Sequence, residues 1–209
     1  MGSEVGVKKV SLASQKPIIW FVLLCGCLLV ALYLWRWYGP TPYRTLRLFI
    51  KALRDHNAEA IWVLCGGESL QDLLRDNKIE WNAFRLPPKE RFSRFLDKFV
   101  FSQISQGAII SWKLNPILAG RFLWFRRHSS ILFYFTIKGP NDFQMPVVIQ
   151  KVFGRWVVKP RTTFGSYLEG YFRRQYKMPM EQSFLMAGYT WAQYGGAWKP
   201  GEPIGALKE

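Results

Sequence analysis

Few side chains in this sequence are of the kinds that carry acid–base, nucleophilic or metal chemistry, and those few are scattered. The two histidines, His56 and His128, lie far apart, and Cys65 is the single cysteine outside the first apolar run, so the set does not meet zinc-ligand spacing. Asp55 and His56 read as a turn, Asp142 as the tip of a hairpin, and His128 as a strand-edge residue beside Arg126-Arg127. Each of these suits a solvated or structural role. Gly66-Gly67 lacks the following Lys-Ser/Thr and the preceding strand that a phosphate-cradling loop needs. The basic pairs Arg126-Arg127 and Arg173-Arg174, flanked by Phe and Tyr, could meet a phosphate backbone with base stacking. Pairs this short are commoner as surface charge, which disfavours nucleic acid as a partner. The chemistry-bearing residues therefore predict no catalysis, no cofactor and no metal.

What must position any function is organised around Ile18 to Trp35, an apolar run without charge or proline. With Trp37 and Tyr38 added, its length at about 1.5 Å per residue approaches the bilayer hydrocarbon thickness. Trp20 stands near one end and Tyr33, Trp35 and Trp37 at the other, where amphipathic rings favour the headgroup level. The sequence predicts a transmembrane helix over 18–38, anchored by Ile18, Trp20, Leu24, Leu29, Trp35 and Trp37, with residues 1–17 a loose polar tail. A cleaved signal peptide would have a shorter apolar core, and Leu24-Cys25-Gly26-Cys27 imitates a lipobox only loosely. Lys8, Lys9 and Lys16 before the run nearly balance Arg36, Arg44, Arg47 and Lys51 after it, so flanking charge does not set an orientation.

Twenty-nine Lys and Arg against fourteen Asp and Glu give a net charge of +15, and ten Trp and sixteen Phe supply rings that something must bury. Beyond the breaker cluster Gly39-Pro40-Thr41-Pro42, Leu46, Phe49, Ile50 and Leu53 fall on one helical stripe. A second helix is predicted over 58–64, a third over 68–77 on Leu70, Leu73 and Leu74, and a fourth over 89–100 on Phe92, Phe95, Leu96 and Phe99. From Phe101 the period changes to that of strands. Strands are predicted over 108–114, 121–126, 130–138, 144–153 and 156–159, with hairpin turns at Gly139-Pro140-Asn141-Asp142 and Gly154-Arg155. Helices first and an antiparallel meander second make the class α+β.

Two segments carry a resemblance. TPYRTLRLFIKALRDHNAEAIWVL resembles the opening helices of nuclear-transport-factor-2-like (cystatin-like cone) domains, and FQMPVVIQKVFGRWVVKP resembles their closing hairpin. The resemblance covers roughly residues 41 to 160 and implies helices packed on a curved antiparallel sheet around a cone-shaped space, with the domain over 39–160. Enzymes of that group place Asp, Tyr or His inside the cone, and no such set is evident here. Such a domain on one N-terminal span resembles inner-membrane scaffold components of type IV secretion machines. That architecture implies a single-pass membrane protein with its domain on the periplasmic side.

Residues 161–209 read as an extension in which 164–176 could form an amphipathic helix. The segment after Met178 reads as an irregular, aromatic-rich tail, because its glycines and prolines resist regular structure. Phe184, Tyr189, Trp191, Tyr194 and Trp198 are the candidate partner contacts, and truncation after Met178 is expected to leave the domain folded. The functional expectation is a non-catalytic, membrane-anchored structural or assembly subunit whose partners are other subunits of a membrane complex and the lipid bilayer. Its alternatives are an accessory subunit of a photosynthetic or respiratory complex, and an enzyme or small-ligand binder using the cone cavity.

Overall fold

Residues 16–38, 41–78, 84–114 and 132–199 are described by the computed structural model, with side chains of the first segment described over 19–35. The chain divides into two units, Met1–Thr41 and Pro42–Glu209. In the first, helix α1 spans Lys16–Tyr38. Every described side chain on it except Cys25 is exposed, and most are large and apolar. Among the described residues, however, no helix is long and apolar enough to cross a membrane. This overturns the transmembrane helix expected over 18–38 and the single-pass localisation with a periplasmic domain.

The second unit is α+β. Helices α2 (Pro42–Arg54), α3 (Ala58–Leu64), α4 (Gly67–Asp76) and α5 (Lys89–Phe99) come first, followed by a 3-10 turn at Phe101–Gln103. Strands β1 (Ser111–Leu114), β2 (Leu132–Lys138), β3 (Gln144–Val152) and β4 (Arg155–Val158) form one antiparallel sheet in the order β1-β2-β3-β4. Helices α6 (Pro160–Tyr176) and α7 (Met180–Gln193) complete it. The expected strand over 121–126, and Arg126-Arg127-His128, lie outside the described residues.

Local chemistry accounts for these boundaries. The Asn57 side chain accepts a hydrogen bond from the Ala60 amide at 2.8 Å and caps α3. Pro160 opens α6, where its missing N–H costs nothing. The β2–β3 hairpin closes through the Gly139 amide donating to the Phe143 carbonyl at 2.9 Å and the Phe143 amide donating to Pro140. Counting back from Gly139–Phe143, ladder alternation makes Thr136–Pro146 a pair without mutual hydrogen bonds. Pro146 also lies beyond the β4 pairing, which covers 149–152, so a proline is tolerated inside β3. The β3–β4 turn is Phe153-Gly154, both with positive φ, one residue earlier than expected.

Met145, Val147 and Ile149 of β3 face the main core, where Leu46, Phe49 and Leu53 of α2 meet Phe92, Phe95 and Leu96 of α5. Val152 and Val157 face the other way, into a smaller cluster with Leu70 and Leu74 of α4 and with Phe84. Thr45 ties α2 to β4 by donating its hydroxyl to the Trp156 carbonyl at 3.3 Å.

The segment after Met178 departs most from expectation. Instead of an irregular tail it forms α7, which packs on α6. Its buried positions, Ser183, Ala187, Thr190 and Trp191, recur at helical spacing. Gly188 does not break the helix because the Trp198 ring lies directly over it, where a Cβ would collide with the indole.

Candidate interaction surfaces

The space between the sheet and the helices is filled with rings. Trp191 is fully buried, stacks on Phe164 at 6.0 Å and 16°, and meets Phe92 and Phe95 edge-on. Phe164 in turn contacts Phe49 at 6.3 Å and Phe95 at 5.6 Å. Two buried hydrogen bonds tie this layer to its surroundings, while the Trp191 indole nitrogen is buried without a partner among the described residues. The Tyr167 hydroxyl donates to the Phe99 carbonyl at 2.6 Å, and the Val148 amide donates to Thr163 Oγ1 at 3.0 Å. Burial pushes the Tyr167 phenol well above its ordinary pKa, outweighing the opposing pull of Arg174.

The other chemistry-bearing residues among those described occupy ordinary structural positions. His56 hydrogen-bonds the Ile104 carbonyl through Nε2 at 2.8 Å and stacks on Phe101, so that nitrogen carries the donating proton. Asp55 pairs with Arg54 at 3.4 Å on the surface. Asp142 sits at the hairpin tip with positive φ, and Arg173 and Arg174 lie in the last turn of α6, exposed. Cys65 is buried, which raises its thiol pKa far above the usual value. Among the described residues, no three His, Cys, Asp or Glu side chains gather to hold a metal ion.

Of the five aromatic residues expected to contact partners, four are engaged within the domain. Trp191 is a core residue, and Phe184 is half-buried against the same core. Tyr194 sets its ring edge against Phe95 and Phe99, and Trp198 covers Gly188. Tyr189 alone of these five is exposed, at 56%, although its ring also leans on Trp198 at 5.0 Å. It shares the outer face of α7 with Leu185 and Met186, both exposed. The pattern 185, 186, 189 is one helical stripe, readable from the sequence once 180–193 is recognised as a helix.

In the first unit, Trp20, Leu24, Leu29 and Trp35 are exposed on α1, and the side chains of Ile18 and Trp37 lie outside the described residues. One side of α1 forms a shallow apolar groove of about 440 Å³, lined by Val22, Leu23, Cys27, Val30 and Leu34 and opened by Gly26. A Cβ at Gly26 would meet nothing within 4 Å. Along one strip of this helix, Leu23, Cys27, Val30 and Leu34 follow one another at alternating steps of four and three. That is the spacing of a seam between two helices.

Comparison with protein-family models, curated proteins and solved structures finds no match to this chain.

Proposed function

We propose that the protein is a non-catalytic assembly subunit of a multiprotein complex, docking through the α1 groove onto an apolar helix of a partner subunit. The observation that carries this reading is the apolar surface of α1, exposed over consecutive turns on every side. A helix apolar all round is stable when something covers it, and each large side chain left wet forgoes about 1.5–3 kcal/mol. The groove fits the ridge of another helix because Gly26 and Ala31 leave room beside a seam of larger residues. The α7 stripe of Leu185, Met186 and Tyr189 supplies a second contact surface on the folded domain. For that domain, helices followed by a meander support the nuclear-transport-factor-2-like architecture that the sequence resembles.

The test places a charge in each surface. Val30→Glu in the groove, and separately Leu185→Glu with Met186→Glu on α7, should release the tagged chain from its native complex while the thermal unfolding of the domain is unchanged. Undiminished retention of the Val30→Glu chain would overturn the proposal.

A further inference from the structure

We propose that the polar pocket of about 320 Å³ between the β2–β3 hairpin tip, the 101–103 turn and the end of α6 binds a small phosphate monoester with a hydroxylated body, such as a polyol phosphate. This is independent of the assembly reading and uses none of its residues. The volume lies at the lower end of the range for small-molecule sites. The Phe143 and Tyr167 rings are buried beneath the pocket, and the Tyr167 hydroxyl is taken up by the Phe99 carbonyl, so the surface offered to a ligand is mainly that of polar side chains. Arg174 and Lys177 supply positive charge, Asp142 the single carboxylate, and Gln103, Asn141 and Gln175 three amides. Two cations against one carboxylate suit a phosphate group, while the carboxylate accepts from hydroxyls and the amides both accept and donate.

The fold brings these side chains together from three separate segments. Tyr167, Tyr171 and Arg174 follow at steps of four and three and so share one face of α6. Tyr167 packs on Phe143, 5.4 Å between ring centres, and this holds that face against the hairpin whose tip carries Asp142. The Arg174 guanidinium lies along Gly170, where a Cβ would come within 3.1 Å of Nη1, so the missing side chain leaves it a seat at the pocket wall. Among the described residues, neither Arg174 nor Lys177 has a carboxylate within ion-pair distance. The planar guanidinium can give two parallel hydrogen bonds to phosphate oxygens, and the lysine adds a point charge.

The experiment titrates glycerol phosphate, phenyl phosphate and inorganic phosphate into the full-length protein at one fixed salt concentration and reads binding by calorimetry. Glycerol phosphate should bind saturably at one site, tighter than the other two. Arg174→Gln and Lys177→Gly should each weaken it about tenfold or more, as expected for loss of a charge-assisted hydrogen bond. Lys177 ends α6 with a φ of 55°, where glycine is favoured, so Lys177→Gly should keep or raise the melting temperature and its lost binding cannot be ascribed to unfolding. Lys113→Gln removes an exposed cation outside the pocket and should leave the affinity unchanged. Asp142→Asn should narrow the preference for glycerol phosphate over inorganic phosphate, because it takes a charged acceptor from the hydroxyls and a repelling charge from the phosphate. Absence of saturable binding, or a loss in Lys113→Gln equal to that in Arg174→Gln, would overturn the proposal. Inorganic or phenyl phosphate binding as tightly as glycerol phosphate, or an unchanged preference in Asp142→Asn, would overturn the hydroxylated body.

Discussion

The indole of Trp191 lies parallel to the ring of Phe164, 6.0 Å away, and joins the last helix to the centre of the core. This contact makes α7 a structural element of the domain and removes the freedom a partner-ordered tail would have. Trp191→Ala should destabilise the domain by about 3–5 kcal/mol, the usual cost of emptying so large a buried site. Truncation after Met178 should leave a chain that does not unfold cooperatively, against the expectation drawn from composition. Denaturant unfolding followed by circular dichroism checks both.

Gly188 offers a sharper probe of the same packing. In an exposed helix, Gly→Ala gains about 1 kcal/mol from backbone propensity. Here the new methyl would strike the Trp198 indole, and overpacking costs about 1–3 kcal/mol. The second effect should win. Gly188→Ala is expected to lower the melting temperature and expose the 197–199 segment to proteolysis; a higher melting temperature would show that Trp198 does not hold this position.

The opening helices and the meander were legible because their burial follows a simple period. Leu46, Phe49 and Leu53 are fully buried on α2, and Met145, Val147 and Ile149 alternate on β3. The closing helix was not legible because its inner face is made of Ser183, Ala187, Gly188 and Thr190 as well as rings, which masks a hydrophobic stripe. Glycine in such a sequence reads as a breaker until the ring that needs the space is known. Trp191 and Tyr189 looked alike as candidate contacts, yet helical geometry sends one into the core and the other to the surface. Composition and aromatic ends suggest a span for the α1 run, whereas among the described residues no helix is long and apolar enough to cross a membrane.

Burial raises the Glu169 carboxyl above the usual range, with Arg173 opposing the shift. A raised carboxylate pKa means that the folded state holds its proton more tightly than the unfolded chain does. Its contribution to stability is present below the unfolded value, about 4.3, and is lost as pH rises through the folded value. Glu169→Gln should therefore melt at a higher temperature than the parent at pH 7, with the gap closing below pH ~4. A gap that persists at low pH would assign the gain to packing instead.

Thiol reactivity separates the two units. Cys27 is exposed in the α1 groove and Cys65 is buried with a raised pKa, so a maleimide at pH 7 should label Cys27 of the isolated chain and spare Cys65 until the domain unfolds. In the native complex Cys27 should become protected. Labelling of Cys65 before Cys27 would contradict the burial of the first or the exposure of the second.

The docking of α1 onto a partner helix is tested most directly by a photo-crosslinking residue at Val30, compared with one at the exposed Asp76 on α4. The account predicts that the Val30 probe forms a defined adduct whose crosslinked peptide, sequenced by mass spectrometry, is an apolar helical segment of another polypeptide. The Asp76 probe should give none. Adducts to lipid alone at Val30, or the same products from both positions, would contradict it.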